Sequence, residues 1–238
     1  MNALPAPLSS LIVTAAAYLI GSLSFAVIVS RAMGLSDPRS YGSGNPGATN
    51  VLRSGSKAAA VVTLALDALK GFLPVWAVAA FGARWGLGEG TAALAGVAAF
   101  LGHLWPVFFR FEGGKGVATA AGALFGLNPW LGLATLTTWV IIAAFFRYSS
   151  LASLVAAAFA PFYQLLIWGG GATAFAVIVM SLLLVWRHEG NIRKLLAGTE
   201  SKLGHKTAPA APPHGDPAEH RHKHRHGHRS HHPHKGEH

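Results

Sequence analysis

Three short polar stretches interrupt an otherwise apolar chain, and their residue types are those that hold an anion. The first is Gly42-Ser43-Gly44-Asn45-Pro46-Gly47-Ala48-Thr49-Asn50, with Arg53 close behind. The second, Gly113-Gly114-Lys115-Gly116, runs into Val117-Ala118-Thr119, and the third is His188-Glu189-Gly190-Asn191. In the first, Ser43 and Thr49 bring hydroxyls and Asn45 and Asn50 bring amides, while Gly42, Gly44 and Gly47 leave backbone N–H groups free to converge on oxygen. Arg53 adds a permanently charged planar fork suited to phosphate. In the second, a glycine loop enters a helix start, where the dipole favours an anion and Lys115 supplies a full charge. In the third, His188 and Asn191 share a helical face, so an imidazole that can orient or deprotonate a hydroxyl sits beside an amide that can hold substrate oxygen.

Several familiar chemistries are missing. The glycine loop lacks the GxxxxGK[ST] spacing and the preceding soluble strand of a nucleotide-binding loop. Five residues after His103, His188 and His214 stand Phe108, Arg193 and Glu219, so no HxxxxD pair of the soluble glycerolipid acyltransferase type exists. The apolar part contains neither GxSxG nor a zinc-ligand pattern. There is no cysteine, hence no disulfide framework or thiolate metal site.

The elements that must position these stretches are membrane helices. Of 238 residues, 52% are hydrophobic and only 12% charged, too little polar material for a soluble surface. Six segments, roughly 8–30, 58–82, 91–110, 130–147, 150–168 and 172–187, approach the length that crosses about 30 Å of hydrocarbon. A seventh, Val117 to Leu127, is short, starting at the glycine loop and stopping at Asn128-Pro129. Seven passes with the N-terminus outside place Arg31, Arg39, Arg53, Lys57, Arg110, Lys115, Arg147 and Arg187 in cytoplasmic loops and only Arg84, beside Glu89, outside. That is the positive-inside asymmetry, and it brings all three polar stretches to the cytoplasmic face. The formal charge of +10 is split between short loops and a terminal tail, which suits a membrane surface better than nucleic acid.

The expected architecture is therefore an all-α polytopic domain over residues 1–204, followed by a disordered tail over 205–238 that carries eleven of the thirteen histidines. Asp67 and Lys70 share a face inside the second span, either as a paired charge that positions the helix or as part of a site. His103 is either a site residue or a packed, hydrogen-bonded histidine. Ser149, Ser150 and Ser153 open the sixth span, where serines also serve as caps.

Together these residues closely resemble the bacterial acyl-phosphate:glycerol-3-phosphate acyltransferase family. The resemblance is carried by residues 42–53, by Gly102-His103-Leu104-Trp105-Pro106-Val107-Phe108-Phe109, by residues 113–119, and by His188 with Asn191-Ile192 and Gly198-Thr199-Glu200-Ser201-Lys202. It extends over roughly residues 8–203. It implies seven transmembrane helices in the bacterial cytoplasmic membrane. It also implies transfer of a fatty acyl group from acyl phosphate to the 1-hydroxyl of glycerol 3-phosphate, without metal or other cofactor. The product is lysophosphatidic acid, and the chain would couple functionally to the enzyme that makes acyl phosphate. The family's functional positions fall on Ser43, Arg53, Lys115, His188, Asn191 and a serine of the 148–153 stretch, with Ser153 and Ser150 favoured. Lys194 departs from an arginine common at that place. On this reading Lys115 and the loop Gly113, Gly114, Gly116 with Thr119 take the acyl phosphate. Arg53, His188 and Asn191 take glycerol 3-phosphate, and Ser43, among Gly44, Asn45, Thr49 and Asn50, steadies phosphate or oxyanion. The base is His188 or the donor's own phosphate. A transporter of a phosphorylated solute and a scaffold held by the basic tail are the rival readings.

Overall fold

A computed structural model describes residues 5–204, and these form ten α-helices with short 3-10 and π segments and no strand. The tail expected to be disordered, 205–238, lies outside the described residues. The apolar runs become α1 (Ala6–Gly21) with α2 (Phe25–Ala32), α4 (Lys57–Phe81), α5 (Glu89–Leu104), α6 (Val117–Leu127), α7 (Pro129–Phe146), α8 (Ser149–Tyr163) and α9 (Ala172–Arg187). Two short helices, α3 (Ala48–Leu52) and α10 (Glu189–Leu196), carry the first and third polar stretches. Four helical segments are long and apolar enough to cross a membrane, and six if each bent pair counts as one span. The outward surface is correspondingly apolar: Phe145 is 82% exposed and Phe175 70%. Side chains of that size belong in lipid rather than water.

The helix boundaries follow local chemistry. Asn128 accepts from the N–H groups of Trp130 and Leu131 and so starts α7, with Pro129 at the position that needs no donor. Ser56 caps α4 through the N–H of Ala59. α5 stops at Leu104, short of the expected residue 110, because Trp105 precedes Pro106 and is pushed out of helical geometry. The run 150–168 is α8 followed by a π-helical turn, Gln164–Trp168.

The first apolar run departs from the single helix expected. α1 and α2 bend by 43° across Ser22-Leu23-Ser24. A break at membrane depth persists only where protein groups take up the freed backbone atoms. Here the Leu23 carbonyl, which lacks its helical donor, accepts from Lys70 Nζ of α4 at 2.6 Å and from the N–H of Phe25 at 3.1 Å. Lys70 is also paired with Asp67 at 2.8 Å, and both side chains are 2% exposed. The intramembrane charges thus brace the broken span.

At eleven residues α6 rises only about 16 Å, roughly half the hydrocarbon thickness. It is held against α4 by backbone approach rather than by large side chains. A Cβ at Gly71 would run into the Thr119 carbonyl, and one at Gly122 into the Ala68 carbonyl. The core includes Val75, Phe100, Leu104, Ala123, Leu131, Val177 and Met180, and so holds α4 to α7 and α9 around the short helix.

Candidate active site

The first polar stretch is a loop folded around one asparagine. Asn50, 2% exposed, donates from Nδ2 to the carbonyls of Pro38 (2.6 Å) and Tyr41 (3.1 Å), while its Oδ1 accepts the N–H of Ser43 at 3.0 Å. This frame holds Ser43 at the mouth of a cavity. Arg53, half-buried at the end of α3, faces the same space. Thr49 Oγ1 lies 3.2 Å from Ser149 Oγ and ties α3 to the start of α8.

The glycine loop is pressed between two helix ends. The N–H of Gly114 donates to the His103 carbonyl at 3.1 Å. A Cβ at Gly114 would strike the His103 ring, and one at Gly113 the carbonyls of His103 and Leu104. On the other side Arg187 donates from Nε to the Gly114 carbonyl (3.1 Å) and from Nη2 to the Gly113 carbonyl (2.9 Å). Gly116, at φ 79°, turns the chain into α6, whose first N–H groups have no side-chain cap. These donors and the helix dipole remain available to an anion.

Lys115 reaches across this end to the Oδ1 of Asn191. Burial lowers the Lys115 ammonium from its ordinary range to about 8, against the pull of the Glu200 carboxylate; the positive charges of Lys194, Arg187 and Arg53 push the same way as burial. Glu200 Oε1 accepts from Asn191 Nδ2 at 2.8 Å and from Ser150 Oγ at 2.9 Å. His188 occupies the 57° bend between α9 and α10 and is 2% exposed. Its Nδ1 lies 2.8 Å from the Leu184 carbonyl, which can only accept, so Nδ1 carries the proton and Nε2 is left as acceptor. Burial lowers His188 to about 4, in spite of that carbonyl, so the ring is neutral at ordinary pH.

One cavity of about 380 Å³ joins these parts. Its polar end includes Ser43, Asn45, Arg53, Lys115, His188 and Asn191; the rest runs between helices past Leu124, Trp139, Ala157, Ala160, Val177 and Met180. A space with cations and amides at one end and aliphatic walls at the other fits a molecule with a phosphate head and a hydrocarbon tail.

Comparison with known proteins gives the family. A sequence model of the family described as Glycerol-3-phosphate acyltransferase matches residues 11–198. The chain belongs to the glycerol-3-phosphate acyltransferase family. Members of the same name resemble it closely. That of Paraburkholderia phytofirmans is 66% identical over 199 residues, 84% of this chain and 93% of the relative. That of Ralstonia nicotianae is 63% identical over 201 residues, 84% and 97% of the two chains. The fold is similar to the crystal structure of PlsY, an integral membrane glycerol 3-phosphate acyltransferase, in its glycerol 3-phosphate form. The TM-score is 0.76 at 40% identity, covering 82% of this chain and 96% of that one. The lysophosphatidic acid form gives 0.74 at 39% identity, with the same coverage.

Within this family member, the residues singled out in the sequence separate into those that face the cavity and those that build its frame. Ser43, Asn45, Thr49, Arg53, Lys115, Gly116, Ser150, Ser153, His188 and Asn191 line it. Gly44, Gly113, Gly114 and Thr119 do not. The two glycines of the loop form its underside against His103, and Thr119 is turned into the protein, its Oγ1 3.1 Å from His103 Nδ1. Asn50 borders the cavity but spends its amide inside the loop. Ser153 donates to the Ser149 carbonyl at 2.8 Å and accepts from Trp139 Nε1 at 3.1 Å, which leaves its hydroxyl little to offer a ligand. His103 is packed and hydrogen-bonded, and with Asp67 it also borders the cavity. Two residues went unassigned in the sequence. Glu200 stood inside a motif without a role, and Arg187 counted only as an interfacial charge. Glu200 bonds Asn191, nine positions away, and Ser150, 50 away, while the partners of Arg187 lie 73 and 74 away; none of these pairs falls within a helical repeat.

Proposed function

We propose that the chain transfers a fatty acyl group from acyl phosphate to the 1-hydroxyl of glycerol 3-phosphate, yielding lysophosphatidic acid and inorganic phosphate. The observation that carries this reading is one cavity lined at its polar end by Arg53, Lys115 and His188 and elsewhere by apolar side chains. Two phosphate-bearing substrates need two cationic sites, and the mouth offers two. The names of the relatives, and the glycerol 3-phosphate and lysophosphatidic acid forms of the structural neighbour, support the acceptor and the product.

The donor phosphate rests on Lys115 and the start of α6, with its acyl chain between α6, α7, α8 and α9. Arg53, His188 and Asn191 hold glycerol 3-phosphate. The hydroxyl oxygen attacks the acyl carbon, the bond from that carbon to the phosphate oxygen breaks, and phosphate leaves with the bonding pair. The hydroxyl proton passes to His188 Nε2 or to an oxygen of the departing phosphate. Because phosphate leaves readily, holding the reacting atoms about 3–3.5 Å apart supplies much of the acceleration. Ser43 and nearby N–H groups steady the oxyanion. The positive loops favour a cytoplasmic mouth in the bacterial inner membrane. There an acyl-phosphate-producing enzyme supplies the donor. No step as written draws on a metal or another cofactor.

The test is acyl transfer by purified protein in detergent, with palmitoyl phosphate and labelled glycerol 3-phosphate, palmitoyl-CoA as the comparison donor and Lys115→Ala as control. Equal release of phosphate and lysophosphatidic acid, lost with the thioester and in the variant, is expected. Turnover with the thioester instead would refute the donor. No product from well-folded protein would refute the reaction and bring the transporter reading forward.

A further inference from the structure

The glycine loop carries the lysine on which the proposed donor site depends, yet its backbone has little shape of its own. What orients it comes from α9. Arg187 directs its two donors at two successive carbonyls, those of Gly113 and Gly114, at 2.9 and 3.1 Å. Every peptide bond among the described residues is trans, so C=O and N–H on one peptide plane point in opposite directions. Fixing the Gly114 carbonyl toward Arg187 therefore aims the N–H of Lys115 the other way. The plane before it is fixed at both edges, its carbonyl on Arg187 and its N–H on the His103 carbonyl at 3.1 Å.

The brace is held in turn. Trp186, next to Arg187, packs on Trp105 with ring centres 5.9 Å apart, which ties the end of α9 to the end of α5. Arg187 does not line the cavity, while Lys115 and Gly116 do. We infer that Arg187 is a positioning residue: it sets the peptide planes of the glycine loop so that Lys115 and the first N–H groups of α6 converge on the donor phosphate. An arginine suits this task because one rigid fork reaches two carbonyls at once; a lysine ammonium, a point charge on a flexible stem, does not hold two planes in register.

This inference rests on the donor assignment above, and its test separates the two. Arg187→Lys keeps the charge and most of the stem, and Arg187→Gln removes the charge. In both, the KM for palmitoyl phosphate and the inhibition constant of inorganic phosphate are expected to rise together. The rise should be about tenfold in the lysine variant and more in the glutamine variant. The KM for glycerol 3-phosphate and the thermal midpoint should stay near those of the unaltered protein. Unchanged donor KM and phosphate inhibition would overturn the role. So would a loss confined to kcat, which would mean displacement of the neighbouring His188, or a loss that tracks a fallen midpoint in both variants. If the unaltered protein fails to turn over palmitoyl phosphate, the donor assignment falls; if it succeeds and Arg187→Lys matches it, only the role of Arg187 falls.

Discussion

Asn50 offers the sharpest contrast between a residue that touches substrate and one that builds the loop which does. Its side chain satisfies three backbone groups: the carbonyls of Pro38 and Tyr41 and the N–H of Ser43. At about 1 kcal/mol net for each bond, Asn50→Ala removes about 3 kcal/mol, more if the stranded carbonyls stay dry. That is roughly a hundredfold shift toward an opened loop, since about 1.4 kcal/mol is tenfold. Asn50→Asp retains an acceptor for Ser43 but has no donor for either carbonyl. Both variants are expected to speed hydrogen exchange at the Ser43 amide and across residues 38–47 by about that factor, with the KM for glycerol 3-phosphate rising as Ser43 and Arg53 lose their place. Amide protection unchanged while activity is lost would refute this reasoning and return Asn50 to direct substrate contact.

Lys115 and His188 yield two further predictions. With the Lys115 ammonium lowered to about 8 by burial, anion binding is complete below that value and is lost as pH rises through it, so kcat/KM should fall along an alkaline limb near pH 8. Glu200→Gln removes the main group holding that value up and should move the limb lower; a profile flat beyond pH 10, or a limb the variant leaves in place, would contradict the assignment. If His188 is the base, His188→Gln should lower kcat by about 10²–10⁴-fold with both KM values little changed; a loss confined to the KM for glycerol 3-phosphate would leave His188 as a binding group and the donor's own phosphate as the base.

Much of this was legible in the sequence because membrane helices leave few choices. The hydropathy runs mark α4, α6, α7 and α9 to within a residue or two, since Ser56, Gly116, Asn128 and Gly171 punctuate their starts. The break at residues 22–24 was not legible, because two serines in an apolar run are compatible with an unbroken helix and the brace from Lys70 lies 47 positions away. Ser43, Arg53, Lys115, His188 and Asn191 could be singled out by type, since each brings a group able to hold an anion or a hydroxyl, and all five line the cavity. Thr119 shows the limit. A threonine one turn into a helix after a glycine loop reads as a phosphate ligand, but the close contact of α6 with α4 turns its hydroxyl to His103.

The contact between Lys70 and Leu23 also bears on how the protein is made. A carbonyl at the break of the first span, met within its own segment only by the N–H of Phe25 two residues on, gains a second donor from an ammonium 47 positions later in the chain. During synthesis the first hydrophobic segment therefore enters the bilayer with its bend held only by its own short-range bonds. The lysine, for its part, enters an apolar phase as a charge needing partners. Each segment is a poor solitary guest in lipid and a good one beside the other, so the two amount to a single unit of insertion, divided by the loop that later forms the mouth of the cavity.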